Sequence, residues 1–241
     1  MGKDIEGWQD VSVNPDVKRG ERSSFEVPPL PDGLRLLIGK ALEKSQDHVV
    51  SNISNQRVCV NDLKTLVGLQ WLNDVIVNAY MALIVKRNRG DQRLPRALAL
   101  DVYFHTFLRS NPIAAHQWTQ KDDIFHYDSL LVPVNESNHR SLVTIDMRCK
   151  GIRYMDSLGR RNDDCLRRIV AFLTREASEN ERTQVFSNDW HCWSMQDLPR
   201  QENGSDCGVF ALMFAEHASR DAATCSKQAG RKNEHERIGP P

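Results

Sequence analysis

The chain has 241 residues and 32 basic against 32 acidic side chains, so its formal net charge is zero. That length suits one domain with tails, and the charge balance argues against a protein drawn to nucleic acid or to a membrane surface. Hydrophobic residues make up 40% of the chain, which is lean for a globular protein and fits a folded part flanked by unfolded ones.

Residues 1–30 carry Pro15, Pro28 and Pro29 among many charges, with little apolar periodicity, and read as a flexible lead-in. Met1–Asp10 has no apolar core of a signal peptide. The longest apolar run, near Ala79–Val85, is too short to span a bilayer. A soluble protein is expected. Gly33–Lys44 reads as a short helix and Val58–Val60 as a short strand. From Leu72 onward, Val75, Ile76, Ala79, Tyr80, Leu83 and Ile84 recur at the spacing of a helix with one buried face. Asn73 or Asp74 favours its N-terminal end. Ala97–Leu108 is apolar and begins as either helix or strand.

Leu130–Val134, Ser141–Asp146 and Gly151–Asp156 read as strands, the last two joined by the hairpin loop Met147–Lys150. Asp164–Glu176 reads as a helix with Leu166, Ile169, Val170 and Leu173 on one face, Trp190–Met195 as a strand, and Val209–Ala218 as an apolar helix. Residues 219–241 hold almost no core material and read as a disordered tail, so the folded domain is expected over 31–218. The six cysteines form neither CxxC pairs nor a dense framework. They are expected to be reduced thiols of an intracellular protein. No metal-ligand spacing, P-loop or dinucleotide-binding glycine pattern is visible, so no metal or cofactor is expected.

One stretch carries chemistry: Gln201-Glu-Asn-Gly-Ser-Asp-Cys207-Gly. Turn and N-cap residues precede Cys207, and the apolar helix starts just after it. A thiol at a helix N-terminus is biased towards thiolate by the dipole. Taken alone, the same pattern also fits a small buried cysteine. If Met147–Lys150 closes a hairpin, paired positions sum to 297 and Asp156 faces Ser141. His139 lies on the same face as Ser141, so the hairpin brings Asp156 within reach of His139. An aspartate accepting the Nδ1 proton would hold the imidazole, which would take the thiol proton of Cys207. The alternative is two exposed hairpin residues. Gln201, six residues before Cys207, can offer an amide N–H to an oxyanion, with the Cys207 backbone N–H as the second donor.

These residues resemble the ubiquitin-like-protein-specific proteases, also called sentrin/SUMO-specific proteases. Four blocks carry the likeness: Asp62-Leu-Lys-Thr-Leu66 with Trp71-Leu-Asn-Asp74; Asp123-Ile-Phe with Leu130-Leu-Val-Pro-Val134; His139 with Tyr154-Met-Asp156-Ser-Leu-Gly159; and Gln201 to Gly208. The likeness covers roughly residues 55–217. It implies a papain-like α+β fold with a central mixed sheet flanked by helices. It also implies a cysteine-type endopeptidase or isopeptidase that cuts after the Gly-Gly C-terminus of a SUMO-like modifier. In that resemblance Cys207 is the nucleophile, His139 the base and acid, Asp156 the orienter and Gln201 the oxyanion donor. Trp71 would roof a narrow channel for the Gly-Gly tail, and Asp74 would meet the modifier's body.

The chain departs from the pattern at three places. Arg140 stands where the family has Trp directly after the histidine, making the channel wall more polar. Asn135 stands where some members have a histidine. Residues 219–241 show no counterpart of the further helix with which the family continues. Alternatives are a protease for another Gly-Gly modifier, an impaired modifier-binding domain, and, more remotely, an acyltransferase on the same scaffold. A monomer in the nucleus or cytoplasm is expected, the nucleus through the family resemblance.

Overall fold

The run Leu130–Val134 has no polar face, which suits a strand covered on both sides. In the computed structural model, which describes residues 29–120, 123–182 and 190–220, it lies inside a five-stranded sheet, one strand in from an edge. The elements in chain order are α1 (Asp32–Leu42), β1 (Val49–Ile53), β2 (Gln56–Cys59), α2 (Val60–Lys64), α3 (Asp74–Gly90), β3 (Ala97–Ala99) and α4 (Phe104–Ser110). After them come β4 (Ser129–Glu136), β5 (His139–Asp146), β6 (Gly151–Met155), α5 (Asp163–Glu179), β7 (His191–Ser194) and α6 (Cys207–Arg220). Short 3-10 turns at Ala114–Trp118 and Ile124–His126 link α4 to β4. The sheet order is β3-β4-β5-β6-β7; β4, β5 and β6 run antiparallel, and the two outer strands pair in parallel. The expected mixed sheet flanked by helices is what forms.

Alternation along the strands divides the core in two. Leu130, Val132, Val134, Val143, Ile145 and Ile152 face α4 and α5, where Phe104 meets Phe172 edge-on at 5.0 Å. Leu131 and Leu142 face the opposite layer, made by α3 and α6 with Ile76, Met81, Ile84, Leu212 and Phe214. The ambiguous segment Ala97–Leu108 resolves into β3, a turn and α4. β1 and α2 are additions to the sequence reading. The helix α1 forms where expected, but none of its residues is buried, and Leu36 and Leu37 face solvent. Residues 1–28 of the lead-in 1–30, and the tail beyond Arg220, lie outside the described residues. The last helix runs two residues past the expected 218 boundary, and Ser219 is fully buried.

Two turns place the site. Ser137 and Asn138 take φ values of 51° and 61°, the pair of positive φ angles that a two-residue type I′ hairpin requires, with Asn well suited to that region. This turn pairs Glu136 with His139 and sets His139 at the first rung of β5. The β5–β6 hairpin pairs Leu142 with Met155 and Val143 with Tyr154, the expected sum of 297.

Candidate active site

Cys207 opens α6 and is 4% exposed. Gly208 permits its placement: a Cβ there would lie 3.2 Å from Leu72 Cβ, so a glycine lets α6 seat against the segment entering α3. Asn203 organises the turn before the helix. Its side-chain oxygen accepts from the backbone N–H groups of Ser205 and Asp206, each at 3.0 Å, and its amide donates to Asp206 at 2.8 Å.

His139 and Asp156 come together as expected, with a separation of 2.7 Å. The atom differs from the expectation: Asp156 Oδ1 meets Nε2, not Nδ1. Asp156 lies one residue beyond the last β5–β6 rung, so the outer ring nitrogen has the needed reach. Nδ1 is thereby left for the hydrogen bond between His139 and the Cys207 thiol. Asp156 is 1% exposed, and the backbone N–H of Leu158 donates to the same Oδ1 at 2.7 Å.

The electrostatics follow from these contacts. The hydrogen bond to Asp156, and next the one to Cys207, push the His139 pKa up to about 9. Burial pushes the Cys207 thiol up, but the His139 hydrogen bond and the backbone N–H groups of Arg140 and Gly208 outweigh it and leave the thiol below its ordinary value. Burial likewise raises Asp156, and the bonds from His139 and Leu158 overcome it, so the carboxyl stays ionised. A raised imidazole and a lowered thiol favour a thiolate–imidazolium pair at neutral pH.

Gln201 is held from both sides. Ser157 Oγ donates to its Oε1 at 2.6 Å, and its Nε2 donates to the Asn203 carbonyl at 2.6 Å. Trp71 is 56% exposed, and its indole N–H donates to the Gly204 carbonyl at 2.8 Å. Trp71, Leu72, Asn135, Asn138 and Arg140 line a pocket that reaches Cys207. Asp74, by contrast, is occupied. Arg140 donates to its Oδ1 and Tyr103 to its Oδ2, the latter at 2.7 Å. Sequence reasoning missed Ser157, Asn203, Asn138 and Tyr103. The first three were within reach, since each lies inside or beside a quoted block; Tyr103 carried no local signal.

A cysteine at the start of a central helix, facing a histidine–aspartate pair on an adjoining mixed sheet, defines a papain-like cysteine-hydrolase fold. The model of the Ulp1 protease family, C-terminal catalytic domain, matches residues 70–236. The chain belongs to this family. The match runs past residue 217 and takes in most of the segment 219–241, where no family counterpart was expected.

Among relatives, a sentrin-specific protease of Caenorhabditis elegans is 37% identical over 88% of this chain and 30% of its own length. Sentrin-specific protease 2 of Homo sapiens is 31% identical over 85% of this chain and 35% of its own. The chain thus spans about a third of the length of the curated relatives it matches. The yeast Ulp1 protease domain, solved in complex with Smt3, the yeast orthologue of SUMO, superposes with a TM-score of 0.70. It is 27% identical and covers 80% of this chain and 86% of that one.

Proposed function

We propose that this chain is a thiol protease and isopeptidase that cuts after the Gly-Gly C-terminus of a SUMO-like modifier, from a precursor peptide or from a target lysine. The hydrogen-bonded run Asp156–His139–Cys207 at the N-terminus of α6 carries the reading. The names of the sentrin-specific relatives and the yeast complex with Smt3 support the choice of modifier.

The Cys207 thiolate attacks the terminal glycine carbonyl carbon. The carbonyl oxygen becomes an oxyanion, met by an amide N–H of Gln201 and the backbone N–H of Cys207. The His139 imidazolium gives its proton to the leaving amine as the C–N bond breaks, and a thioester remains. His139, now neutral, takes a proton from water; the hydroxide oxygen attacks the thioester, and the modifier leaves with a free carboxylate. Asp156 holds the ring throughout. Trp71 and Arg140 wall the tail channel, where glycines pass and side chains clash. Among the described residues five cysteines are free, which suits a reducing intracellular compartment.

A second reading keeps the chemistry and changes the modifier. The Arg140–Asp74 pair favours it, because Asp74 is already engaged before any partner arrives. One experiment separates the readings: a panel of modifiers with a C-terminal thiol-reactive group, with Cys207→Ala as control. A Cys207-dependent adduct with SUMO is expected. An adduct with only another modifier moves the specificity, and none from a folded protein sinks the protease reading. Cys207→Ser should abolish hydrolysis and leave modifier binding intact.

A further inference from the structure

The oxyanion reading needs the Gln201 amide to present nitrogen, not oxygen, to the reacting carbonyl. An amide's two ends are nearly alike in shape, and the last torsion of Gln is broad. Something must therefore fix both its flip and its plane.

The surroundings of Gln201 decide the flip. The Asn203 carbonyl is an acceptor only, so the amide end 2.6 Å from it is the nitrogen. The other end is then Oε1, and Ser157 Oγ at 2.6 Å can only be its donor. One N–H of Gln201 is spent on Asn203 and the other remains for a substrate. With two opposed hydrogen bonds the amide plane is set. With one, it can turn about the bond that is left.

Ser157 is well placed to hold that plane. It is 1% exposed, and its own carbonyl accepts from the Gln201 backbone N–H at 3.2 Å. The turn after it is clamped to the same loop: Arg200 donates to the Leu158 carbonyl at 2.7 Å. Gly159, at φ 68°, leaves room for the Arg200 guanidinium, which would lie 1.3 Å from a Cβ there. Asp156 and Ser157 are neighbours in the chain; one side chain holds His139 and the other holds Gln201.

We infer that Ser157 is a positioning residue that orients the Gln201 amide as oxyanion donor, an inference that rests on the proposed hydrolase reading. Complete loss of one such donor lowers kcat by about 10²- to 10³-fold. Ser157→Ala should lower kcat by about tenfold or more, short of that limit, with KM unchanged. Ser157→Thr, which keeps the hydroxyl, should restore most of the rate. Ser157→Ala combined with Gln201→Ala should be no slower than Gln201→Ala alone, because the hydroxyl acts through the amide.

The test measures kcat and KM of these variants on a fluorogenic Gly-Gly modifier amide, normalised to titratable Cys207. The hydrogen exchange of the Gln201 side-chain NH₂ is followed in parallel by NMR. Faster NH₂ exchange in Ser157→Ala is expected. An unchanged kcat, or losses that multiply in the double variant, overturn the inference. Should the native chain show no turnover at all, the hydrolase reading falls, and unchanged NH₂ exchange in Ser157→Ala then removes the positioning role as well.

Discussion

Arg140 reaches from the residue after His139 to Asp74 at the start of α3, and the two side chains form an ion pair across the rim of the pocket that leads to Cys207. Both partners were expected to face a modifier; here they face each other. Burial raises Asp74, but the bonds from Arg140 and Tyr103 outweigh it and keep the carboxylate charged. A cationic residue on a modifier must therefore compete with Arg140 for Asp74. Replacing Arg140 by Trp frees Oδ1 of that carboxylate, Oδ2 staying with Tyr103, and puts an aromatic side chain in the wall. We expect kcat/KM on a SUMO amide to rise by up to about tenfold, roughly the worth of one charge-assisted hydrogen bond. A large fall on steady-state assay would mean that the pair builds the channel.

The activity should follow a bell-shaped pH profile. On the acid side the thiolate is lost, at a pH below the ordinary thiol value because the Cys207 pKa is lowered. On the alkaline side His139 loses its proton near pH 9. Asp156 is the largest cause of that elevation, so Asp156→Asn should move the alkaline limb downwards, towards the ordinary histidine range. A misplaced imidazole should also lower kcat by about 10²-fold or more. Linkage has the matching sign. The raised His139 pKa stabilises the fold below the ordinary histidine value, and this is lost as pH rises through about 9. An alkaline limb that stays put in Asp156→Asn, read from kcat/KM against pH, would remove Asp156 as its cause.

The His139–Asp156 contact was legible because a four-residue loop and the two-residue period of a strand together fix which side chains meet. Positions 139 and 156 are brought together by local geometry alone. The choice of Nε2 over Nδ1 was not legible, since it depends on how far Asp156 sits beyond the last rung. The Arg140–Asp74 pair joins residues 66 apart, and Ser157–Gln201 residues 44 apart. No local pattern encodes either, because each depends on how α3 and the 201–206 loop dock on the sheet. The helix α1 shows the opposite failure. Its leucines predicted a helix, and a helix forms, but periodicity cannot say that the helix finds no core.

Gly208 should resist substitution more than its helical setting suggests. Alanine is the better helix former by roughly 0.5–1 kcal/mol, yet its Cβ would meet Leu72 at 3.2 to 3.4 Å. Overpacking of this kind costs about 1–3 kcal/mol. The expected result for Gly208→Ala is a thermal midpoint lower by about 2–6 °C, with loss of turnover as Cys207 shifts. Leu72→Ala in the same chain should relieve the clash, so the double variant should be more stable than the two single effects added. Simple additivity in thermal melts would show that the contact is soft.

The far end of α6 is anchored by a buried amide, which predicts a loss of stability separable from catalysis. Asn88 is 3% exposed, and its Nδ2 donates to the carbonyls of Ser219 and Pro95 at 2.7 and 2.8 Å. Arg87 adds a bond to Ser219 Oγ at 2.7 Å and an ion pair with Glu216. Asn88→Leu leaves two buried carbonyls without a donor, at about 1–3 kcal/mol each. At about 2–4 °C per kcal/mol, the midpoint should fall by roughly 4 to 24 °C, the lower part of that range applying if water reaches one carbonyl. Cys207 lies at the opposite end of the helix, so kcat at low temperature should hold. Ending the chain after Ala218 removes the Ser219 carbonyl, so Asn88→Leu should cost less in that background, where only the Pro95 carbonyl loses its donor. Additive losses, or a fall in kcat at low temperature, would mean that the α6 terminus does more than hold the helix in place.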